Sequence, residues 1–191
     1  MKELCPAEAL HEECGVFGIY DSTGKTNMVS AVYSALYALQ HRGQESCGIA
    51  VAYANKVEYY KGMGLIPDVF SGGALASLPE GDIAVGHVRY STTGASLLVN
   101  AQPIVFTGKC GKMALAHNGN LVNSRELVRY LEDKGSLFHS TSDSEILAHL
   151  IKKEHSSEHR IFAIIDALNM LEGGFAFLIM TENRLYACRD K

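Results

Sequence analysis

The chain has 191 residues, of which 47% are hydrophobic and 20% are charged, a composition typical of one globular domain with its own core. This composition excludes a disordered chain, a collagen and a coiled coil. The net charge of -4 gives no positive surface for nucleic acid or an anionic membrane, so we expect neither as a partner and favour a small molecule.

The first half of the chain is predicted to form strands around one amphipathic helix. Residues 15–20 are short and apolar and end at a polar turn, which predicts a buried strand. Apolar residues recur at intervals of three and four over residues 28–39, with Asn27 before them as an N-cap, which predicts a helix that faces the core. Two strands of a hairpin are expected next, at residues 49–53 and 57–60.

The second half is predicted to contain helices between strands. Residues 82–88 and 112–117 are strand candidates that each end at a polar cluster, and a closing hairpin is expected at residues 174–180 and 184–188. Ser142 and Glu145 have the spacing of a capping box. Three helices are expected, at residues 124–134, 142–155 and 161–171. Because strands and helices do not alternate strictly, the pattern favours an α+β arrangement of antiparallel sheets covered by helices.

No segment is typical of export or membrane insertion. The longest apolar run, residues 175–180, is far shorter than the ~18 residues of a membrane-spanning helix. The first dozen residues lack the apolar core of a secretory signal and carry acidic residues, which a transit peptide avoids. We therefore expect a cytoplasmic protein.

Five cysteines occur at wide separations, which predicts neither a disulfide framework nor a metal site. In a reducing compartment one of them is a candidate reactive thiol. Cys14 stands at the start of the first predicted strand, next to Gly15, where the backbone can approach another group closely. The alternative is a small, buried and inert side chain, which is the commoner role of a free cysteine.

Two arginines lie in polar clusters between predicted elements. Arg42 belongs to a cluster at residues 41–48 that is richer in polar groups than a plain connection, although a solvated turn would also explain it. Arg89 ends a predicted strand and is followed by hydroxyl side chains, which suits bidentate binding of a small carboxylate. A structural salt bridge is the competing role for Arg89.

Two further clusters suit acyl chemistry. Asn118 and Gly119 place a side-chain amide beside a main-chain N–H, two donors for a developing oxyanion, although Asn-Gly is also a common hairpin turn. Asp143 is not needed for helix capping and could receive a ligand ammonium. His87 and His117 allow a rival mechanism in which a histidine activates the cysteine, but each follows a strand pattern typical of a core histidine.

Taken together, these clusters resemble the glutaminase domain of the amidophosphoribosyltransferases. These are class II glutamine amidotransferases whose glutaminase domains are N-terminal nucleophile hydrolases. The residues that flank Arg42 and Arg89 are similar to the motifs of this branch rather than to those of the hexosamine branch. The resemblance covers nearly the whole chain and rests on the motifs Cys14-Gly-Val-Phe-Gly-Ile19, His41-Arg-Gly-Gln-Glu-Ser46, Gly86-His-Val-Arg-Tyr90, Ala116-His-Asn-Gly-Asn-Leu121 and Thr141-Ser-Asp-Ser-Glu145.

The resemblance implies a four-layer αββα sandwich, in which two antiparallel sheets are flanked by helices. It implies that residues 1–13 are a propeptide and that residues 14–191 are the glutaminase domain. Cys14 would be the nucleophile, and its own α-amino group the general base.

The same resemblance assigns the other site residues. Glutamine would be bound through its α-carboxylate by Arg89 and through its α-ammonium by Asp143. The tetrahedral oxyanion would be held by Asn118 and Gly119. The remaining residues would orient the cysteine or line the pocket, namely Arg42, Tyr90 and Thr92.

The implied reaction is attack of the Cys14 thiolate on the glutamine carboxamide, release of ammonia and hydrolysis of the thioester to glutamate, with no metal or cofactor. In complete family members a phosphoribosyltransferase domain takes the ammonia to make phosphoribosylamine, the first step of de novo purine synthesis. That domain uses phosphoribosyl pyrophosphate and Mg²⁺, and some members carry a 4Fe-4S cluster. We expect this acceptor domain to be absent after Lys191, and the full-length form to be a homo-oligomer.

Two other functions stay open at this point. The chain could bind glutamine or a partner chain without catalysis. It could also be the glutaminase domain of another class II amidotransferase, which serves hexosamine or glutamate synthesis.

Overall fold

The computed structural model describes residues 14–90, 96–108, 111–153 and 160–190, and in them the chain forms two four-stranded antiparallel sheets. The first sheet contains β1 (Gly15–Tyr20), β2 (Ser46–Tyr53), β3 (Lys56–Met63) and β4 (Ile83–Arg89). Their spatial order is β1-β4-β2-β3. The second sheet contains β5 (Ile104–Gly108), β6 (Gly111–Leu121), β7 (Gly173–Met180) and β8 (Leu185–Arg189), in that spatial order.

Helices cover the outer face of each sheet. They are α1 (Met28–Ala38), α2 (Ile66–Val69), α3 (Ser124–Asp133), α4 (Ser144–Lys153) and α5 (Arg160–Asn169). One apolar core joins α1 and α2 to the first sheet, with Val32 and Leu36 fully buried in it. Another joins α3, α4 and α5 to the second sheet, and Leu147 and Phe177 lie at its centre.

A thin third core lies between the two sheets. It contains small side chains such as Ala50, Ala52 and Ala114, together with Val85 and Met180. Small side chains let the two sheets approach closely. The four-layer αββα sandwich implied by the sequence is confirmed.

Most of the predicted elements are confirmed with ends shifted by one or two residues. The side chain of Asn27 caps α1 and accepts a hydrogen bond from the amide of Ser30 at 2.8 Å. None of the helices in the described part of the chain is long and apolar enough to span a membrane.

The predicted capping box of α4 is wrong in its details. The helix begins at Ser144, later than expected, and the carboxylate of Glu145 does not reach back to the amide of Ser142. Instead it accepts hydrogen bonds from the amides of His139 and Ser140 at 2.8–3.3 Å. Glu145 therefore ties down the loop before the helix.

Two sheet features differ from the sequence-based expectation. Strand β5 was not predicted at all. Strand β6 continues to Leu121, so that Asn118 and Gly119 lie within a strand and neither follow its end nor form a hairpin turn. The cause is β7, whose pairing with β6 extends as far as Leu121↔Gly173.

Candidate active site

The polar clusters meet at one end of the layer between the sheets. Side chains alternate along a strand, and Val85 of β4 lies in the inter-sheet core. His87 and Arg89, on the same side of β4, therefore face the second sheet. In β6, Ala114 lies in that core, so the alternation turns Asn118 toward the first sheet.

Cys14 lies directly before β1, beside the end of β4. Its Sγ is 3.4 Å from both the main-chain nitrogen and the main-chain oxygen of Tyr90. The Nε of Arg42 donates to the carbonyl oxygen of Cys14 at 3.3 Å. Gly43 allows this approach, because a Cβ there would lie 2.6 Å from the carbonyl carbon of Val88. The structure thus brings Arg42 to the backbone of the proposed nucleophile.

The thiol of Cys14 is protonated at neutral pH. Burial raises its pKa above the ordinary value, and the negative charge of Asp143 acts in the same direction. The hydrogen bond from Tyr90 and the positive charge of Arg89 lower the pKa but do not outweigh the burial. A base must therefore take the proton before Cys14 can act as a nucleophile.

Arg89 is buried and forms an ion pair with Glu45. The two residues are also joined through the main chain, since the amide of Glu45 donates to the carbonyl of Arg89 at 3.0 Å. The sequence analysis gave no role to Glu45, although the residue lies in the quoted motif around Arg42. The structural salt bridge considered for Arg89 thus exists, in a position that also faces the site.

Cys14 and Arg89 form the side of the candidate site that belongs to the first sheet. The side that belongs to the second sheet is an uncovered edge of β6. Strand β5 begins at Ile104, which pairs with Leu115, so no strand within the described residues lies beside the edge of β6 beyond Leu115 on that side. Side chains take the place of the missing strand. The amide of His117 donates to Gln102 Oε1 at 2.7 Å, and the amide of Leu121 donates to Asp143 Oδ2 at 3.0 Å.

Gly119 lies between these two positions. The N–H groups of alternate strand residues point to the same edge, so that of Gly119 points the same way as those of His117 and Leu121. Its partner in β7, Phe175, directs its carbonyl away toward Asp190. The predicted oxyanion donors are thus placed differently on β6: the N–H of Gly119 points to its open edge, and the side chain of Asn118 lies on the side toward the first sheet.

Asp143 precedes α4 and is partly buried. Besides its bond to Leu121, its Oδ1 lies 3.6 Å from Nδ1 of His117 and 3.5 Å from Oγ of Ser144. Burial raises the pKa of Asp143, but its close contact with His117 and the hydrogen bonds from the amides of Leu121 and Ser144 outweigh burial and hold the pKa below the ordinary value. Asp143 is therefore a carboxylate at neutral pH.

The rival mechanism with a catalytic histidine is not supported by the contacts. His87 Nε2 donates to the carbonyl of His117 at 2.8 Å, and the ring of His117 contacts Ser144 and Asp143. Burial lowers the pKa of His87 to about 3, which makes it a poor base at neutral pH. Both histidines are core residues, as their strand patterns indicated.

The remaining predicted pocket residues are less informative. Tyr90 is 41% exposed, and Thr92 lies outside the described residues. A cavity of about 460 Å³ opens beside Asp143, and its lining includes Asn120 and Arg125. Among the described residues, no group of three or more histidine, cysteine or acidic side chains is placed to hold a metal ion.

Two of the other cysteines lie in unreactive surroundings. Cys47 is fully buried in the core under α1, and burial raises its pKa to about 12. Cys188 is partly buried on β8, where burial also raises its pKa. Cys5 and Cys110 lie outside the described residues.

Comparison with known proteins defines the class of the chain. A family model described as a glutamine amidotransferase domain matches residues 87–191, more than half of the chain. The fold also agrees with the solved glutamine phosphoribosylpyrophosphate amidotransferase from B. subtilis, complexed with ADP and GMP. That comparison has a TM-score of 0.80 at 41% identity and covers 93% of this chain and 37% of the other. The chain is thus a class II glutamine amidotransferase domain.

Two curated relatives identify the branch. Amidophosphoribosyltransferase 3 of Arabidopsis thaliana is 47% identical over 96% of this chain, which spans 34% of that relative. An amidophosphoribosyltransferase of Lacticaseibacillus casei is 44% identical over 96% of this chain, which covers 92% of that relative. The chain belongs to the amidophosphoribosyltransferase family. It spans about a third of the length of most of the curated relatives it matches.

Proposed function

We propose that the chain hydrolyses glutamine to glutamate and ammonia through a thioester on Cys14. The observation that carries the proposal is the setting of the thiol. It lies at the end of the inter-sheet layer, close enough to both Arg89 and Asp143 for their charges to shift its pKa in opposite directions. A cation and an anion on either side of a nucleophile suit a substrate that carries an α-carboxylate and an α-ammonium.

Binding of glutamine is assigned to these two charged residues. The Arg89 guanidinium has a fork of donors that can bind a carboxylate in two places, and Glu45 fixes its orientation. The lowered pKa of Asp143 keeps it charged for the ammonium. Tyr90 and Thr92 are assigned to the pocket wall. Together they would hold the carboxamide at the thiol.

The α-amino group of Cys14 is the proposed base. Removal of residues 1–13 as a propeptide frees this amine, whose reference pKa of about 8 lies near working pH. The amine takes the thiol proton, and the sulfur attacks the carboxamide carbon. Asn118 and Gly119 hold the resulting oxyanion.

Collapse of the tetrahedral intermediate breaks the C–N bond, and the protonated amine gives its proton to the leaving ammonia. Water then attacks the thioester carbon, with the same amine as base. This step regenerates the thiol and releases glutamate.

The ammonia is proposed to serve a phosphoribosyl acceptor. The relatives named above are amidophosphoribosyltransferases, and most are much longer than this chain. We assign the acceptor to a phosphoribosyltransferase domain or chain, which forms phosphoribosylamine for purine synthesis. The cytoplasm, or another reducing compartment, suits the free thiol that the mechanism requires.

The decisive experiment compares two cysteine variants. Cys14→Ala removes the nucleophile, and we expect glutamate release from glutamine to fall at least 10³-fold. Cys188→Ser is the matched control, because the hydroxyl can keep the bond to the carbonyl of Phe177, and it should retain wild-type turnover. Wild-type rates in Cys14→Ala would disprove the proposal.

A further inference from the structure

His117 is held at three of its atoms by buried side chains from three parts of the fold. Its amide donates to Oε1 of Gln102 at 2.7 Å, and its carbonyl accepts from Nε2 of His87 at 2.8 Å. Its Nδ1 lies 2.8 Å from Oγ of Ser144. The ring also stacks on Phe177, with the ring centroids 4.0 Å apart. All five residues are at most 4% exposed.

These contacts replace an ordinary sheet ladder. The N–H and C=O groups of a strand residue usually bond to a neighbouring strand. At His117 the neighbour, β5, has not yet begun, and both groups bond to side chains instead. The position of this part of β6 is therefore set by Gln102 and by His87 of the opposite sheet.

The side chains that hold His117 also join to one another. Nε2 of Gln102 donates to Oγ of Ser144 at 3.1 Å, so one hydroxyl connects the Gln102 side chain with the His117 ring. The same hydroxyl lies 3.5 Å from Oδ1 of Asp143. Two ring nitrogens of this cluster, Nδ1 of His87 and Nε2 of His117, are buried and have no hydrogen-bond partner among the described residues. The bonds that do form restrain His117, because moving its main chain or ring would leave further buried polar groups unsatisfied.

His117 lies directly beside the proposed oxyanion donors. The main-chain carbonyl that His87 holds belongs to the peptide that links His117 to Asn118, and Gly119 follows. The ring of His117 faces Asp143 at 3.6 Å. One residue thus connects the part of the site that would stabilise the transition state with the part that would bind the substrate ammonium.

We propose that Gln102, His87 and Ser144 are positioning residues that act through His117. His87 and Gln102 hold the main chain so that the Asn118 and Gly119 donors meet the oxyanion, and Ser144 holds the ring that orients Asp143. This inference rests on the proposed glutaminase function. It adds residues that do not touch substrate.

The two halves of this arrangement predict different kinetic effects. His87→Leu keeps the volume but removes the donor to the His117 carbonyl, and we expect kcat to fall about tenfold to hundredfold with KM changed less than about threefold. His87→Gln can place an amide nitrogen near the position of Nε2, so it should recover most of kcat. Ser144→Ala removes one oxygen, and we expect KM for glutamine to rise about tenfold with kcat nearly unchanged.

A stability control separates positioning from folding. Thr181 is fully buried at the opposite end of β7, where its hydroxyl accepts from the amide of Arg184 at 3.0 Å. Thr181→Val should lower the melting temperature without changing kcat or KM. Kinetics are measured well below each melting temperature, and circular dichroism establishes that each variant is folded.

Each outcome decides the proposal. Unchanged kinetics in His87→Leu and Ser144→Ala, with only a lower melting temperature, would make the contacts merely structural. Failure of His87→Gln to recover kcat would overturn the assigned donor role. If His87→Leu does not fold, the KM of Ser144→Ala and the kcat of His87→Gln are the values that test the proposal.

The inference and the proposed function can fail separately. If the wild-type chain binds glutamine in calorimetry but releases no glutamate, the proposed function fails. The glutamine affinity of Ser144→Ala then decides the inference, and unchanged affinity overturns it. If the wild-type chain neither binds nor hydrolyses glutamine, both fail.

Discussion

Cys14 combines two properties that a catalytic thiol must reconcile. It is buried enough for its pKa to lie above the ordinary value, which keeps it protonated and protects it from adventitious oxidation. The proposed mechanism also requires the thiol to lose its proton when glutamine binds. The described residues place no histidine on its sulfur, so the proposed α-amino group is the base that best fits this environment.

This assignment predicts the pH dependence of the reaction. The amine acts as a base only when neutral, so kcat/KM for glutamine should rise with pH through the α-amino pKa of about 8. Asp143 does not contribute to this rise, because its pKa is below the ordinary carboxylate value. The measurement is the initial rate of glutamate release between pH 6 and 9. A flat profile across this range would contradict the assignment.

At the residue scale, the sequence identifies the kinds of group that the site offers. The Asn118 amide, the Gly119 N–H and the charges of Arg89 and Asp143 can be read from the motifs, and their roles stay predictions. The contacts of Glu45, Gln102 and Ser144 did not follow, because each partner is distant in sequence. Glu45 and Arg89, for example, are joined only after β2 pairs with β4.

At the scale of elements, β6 is the decisive strand. Its inner residues pair with β5 on one side and β7 on the other, whereas its last residues pair, among the strands that the structure describes, with β7 alone. Gly119 in this stretch has a φ of 138°, and a Cβ there would lie 2.2 Å from the carbonyl oxygen of Gly174. The close approach of β6 to β7 depends on this glycine.

Gly119→Ala should therefore distort the pairing of β6 with β7. We expect a loss of stability larger than the ~1 kcal/mol of an ordinary glycine substitution, together with at least a tenfold loss of kcat. Gly135→Ala is the matched control, since Gly135 also has a positive φ, of 80°, but no atom lies within 4 Å of its Cβ position. Urea unfolding and steady-state kinetics measure both effects. Equal losses of stability and of kcat in Gly119→Ala and Gly135→Ala would contradict the role given to Gly119 in β6.

Helices and strands were predicted well where the local sequence determines them, and poorly where pairing with a distant strand does. Helix α1 follows from its apolar spacing and the Asn27 cap, and both are local. The end of β6 does not follow, because the Asn118-Gly119 pair is typical of a turn and only the neighbouring β7 keeps it extended. The start of α4 was predicted to within two residues, but the partners of Glu145 were not, because this carboxylate bonds to a loop that the sequence pattern does not position.

At the scale of the whole molecule, two buried groups make the sandwich sensitive to acid. Burial lowers the pKa of His87 to about 3, against an ordinary value of 6.5. Burial raises the pKa of Glu145, but hydrogen bonds from His149, Ser140 and His139 outweigh it and lower the pKa from 4.5 to about 2. In both cases the unfolded chain binds the proton more readily than the folded chain, so acid favours unfolding.

We expect the free energy of unfolding to fall in two stages. The His87 contribution is complete above pH 6.5 and is lost as the pH decreases toward 3, and the Glu145 contribution is lost between pH 4.5 and 2. His87→Gln should remove the first stage and leave the second. Urea titrations from pH 7.5 to 3 measure this. If the free energy of unfolding of His87→Gln falls between pH 6.5 and 4.5 as steeply as that of the wild type, His87 is not the group responsible.

The four layers also explain why the site lies where it does. Small side chains pack the middle of the inter-sheet layer, and the polar side chains of His87 and Arg89 follow Val85 on the same side of β4. The His87 bond to the His117 carbonyl links the sheet next to Cys14 with the sheet that carries the proposed oxyanion donors. A site assembled from two sheets in this way depends on the intact sandwich.

The central claim is that Cys14 is an N-terminal nucleophile for glutamine, and mass spectrometry tests it most directly. The purified chain is treated with a chloroketone analogue of glutamine, and its intact mass and labelled peptide are determined. The account predicts a chain that begins at Cys14 and carries a single adduct on that residue, with labelling suppressed by excess glutamine. A chain that keeps residues 1–13 and still releases glutamate, or an adduct on another cysteine, would contradict it.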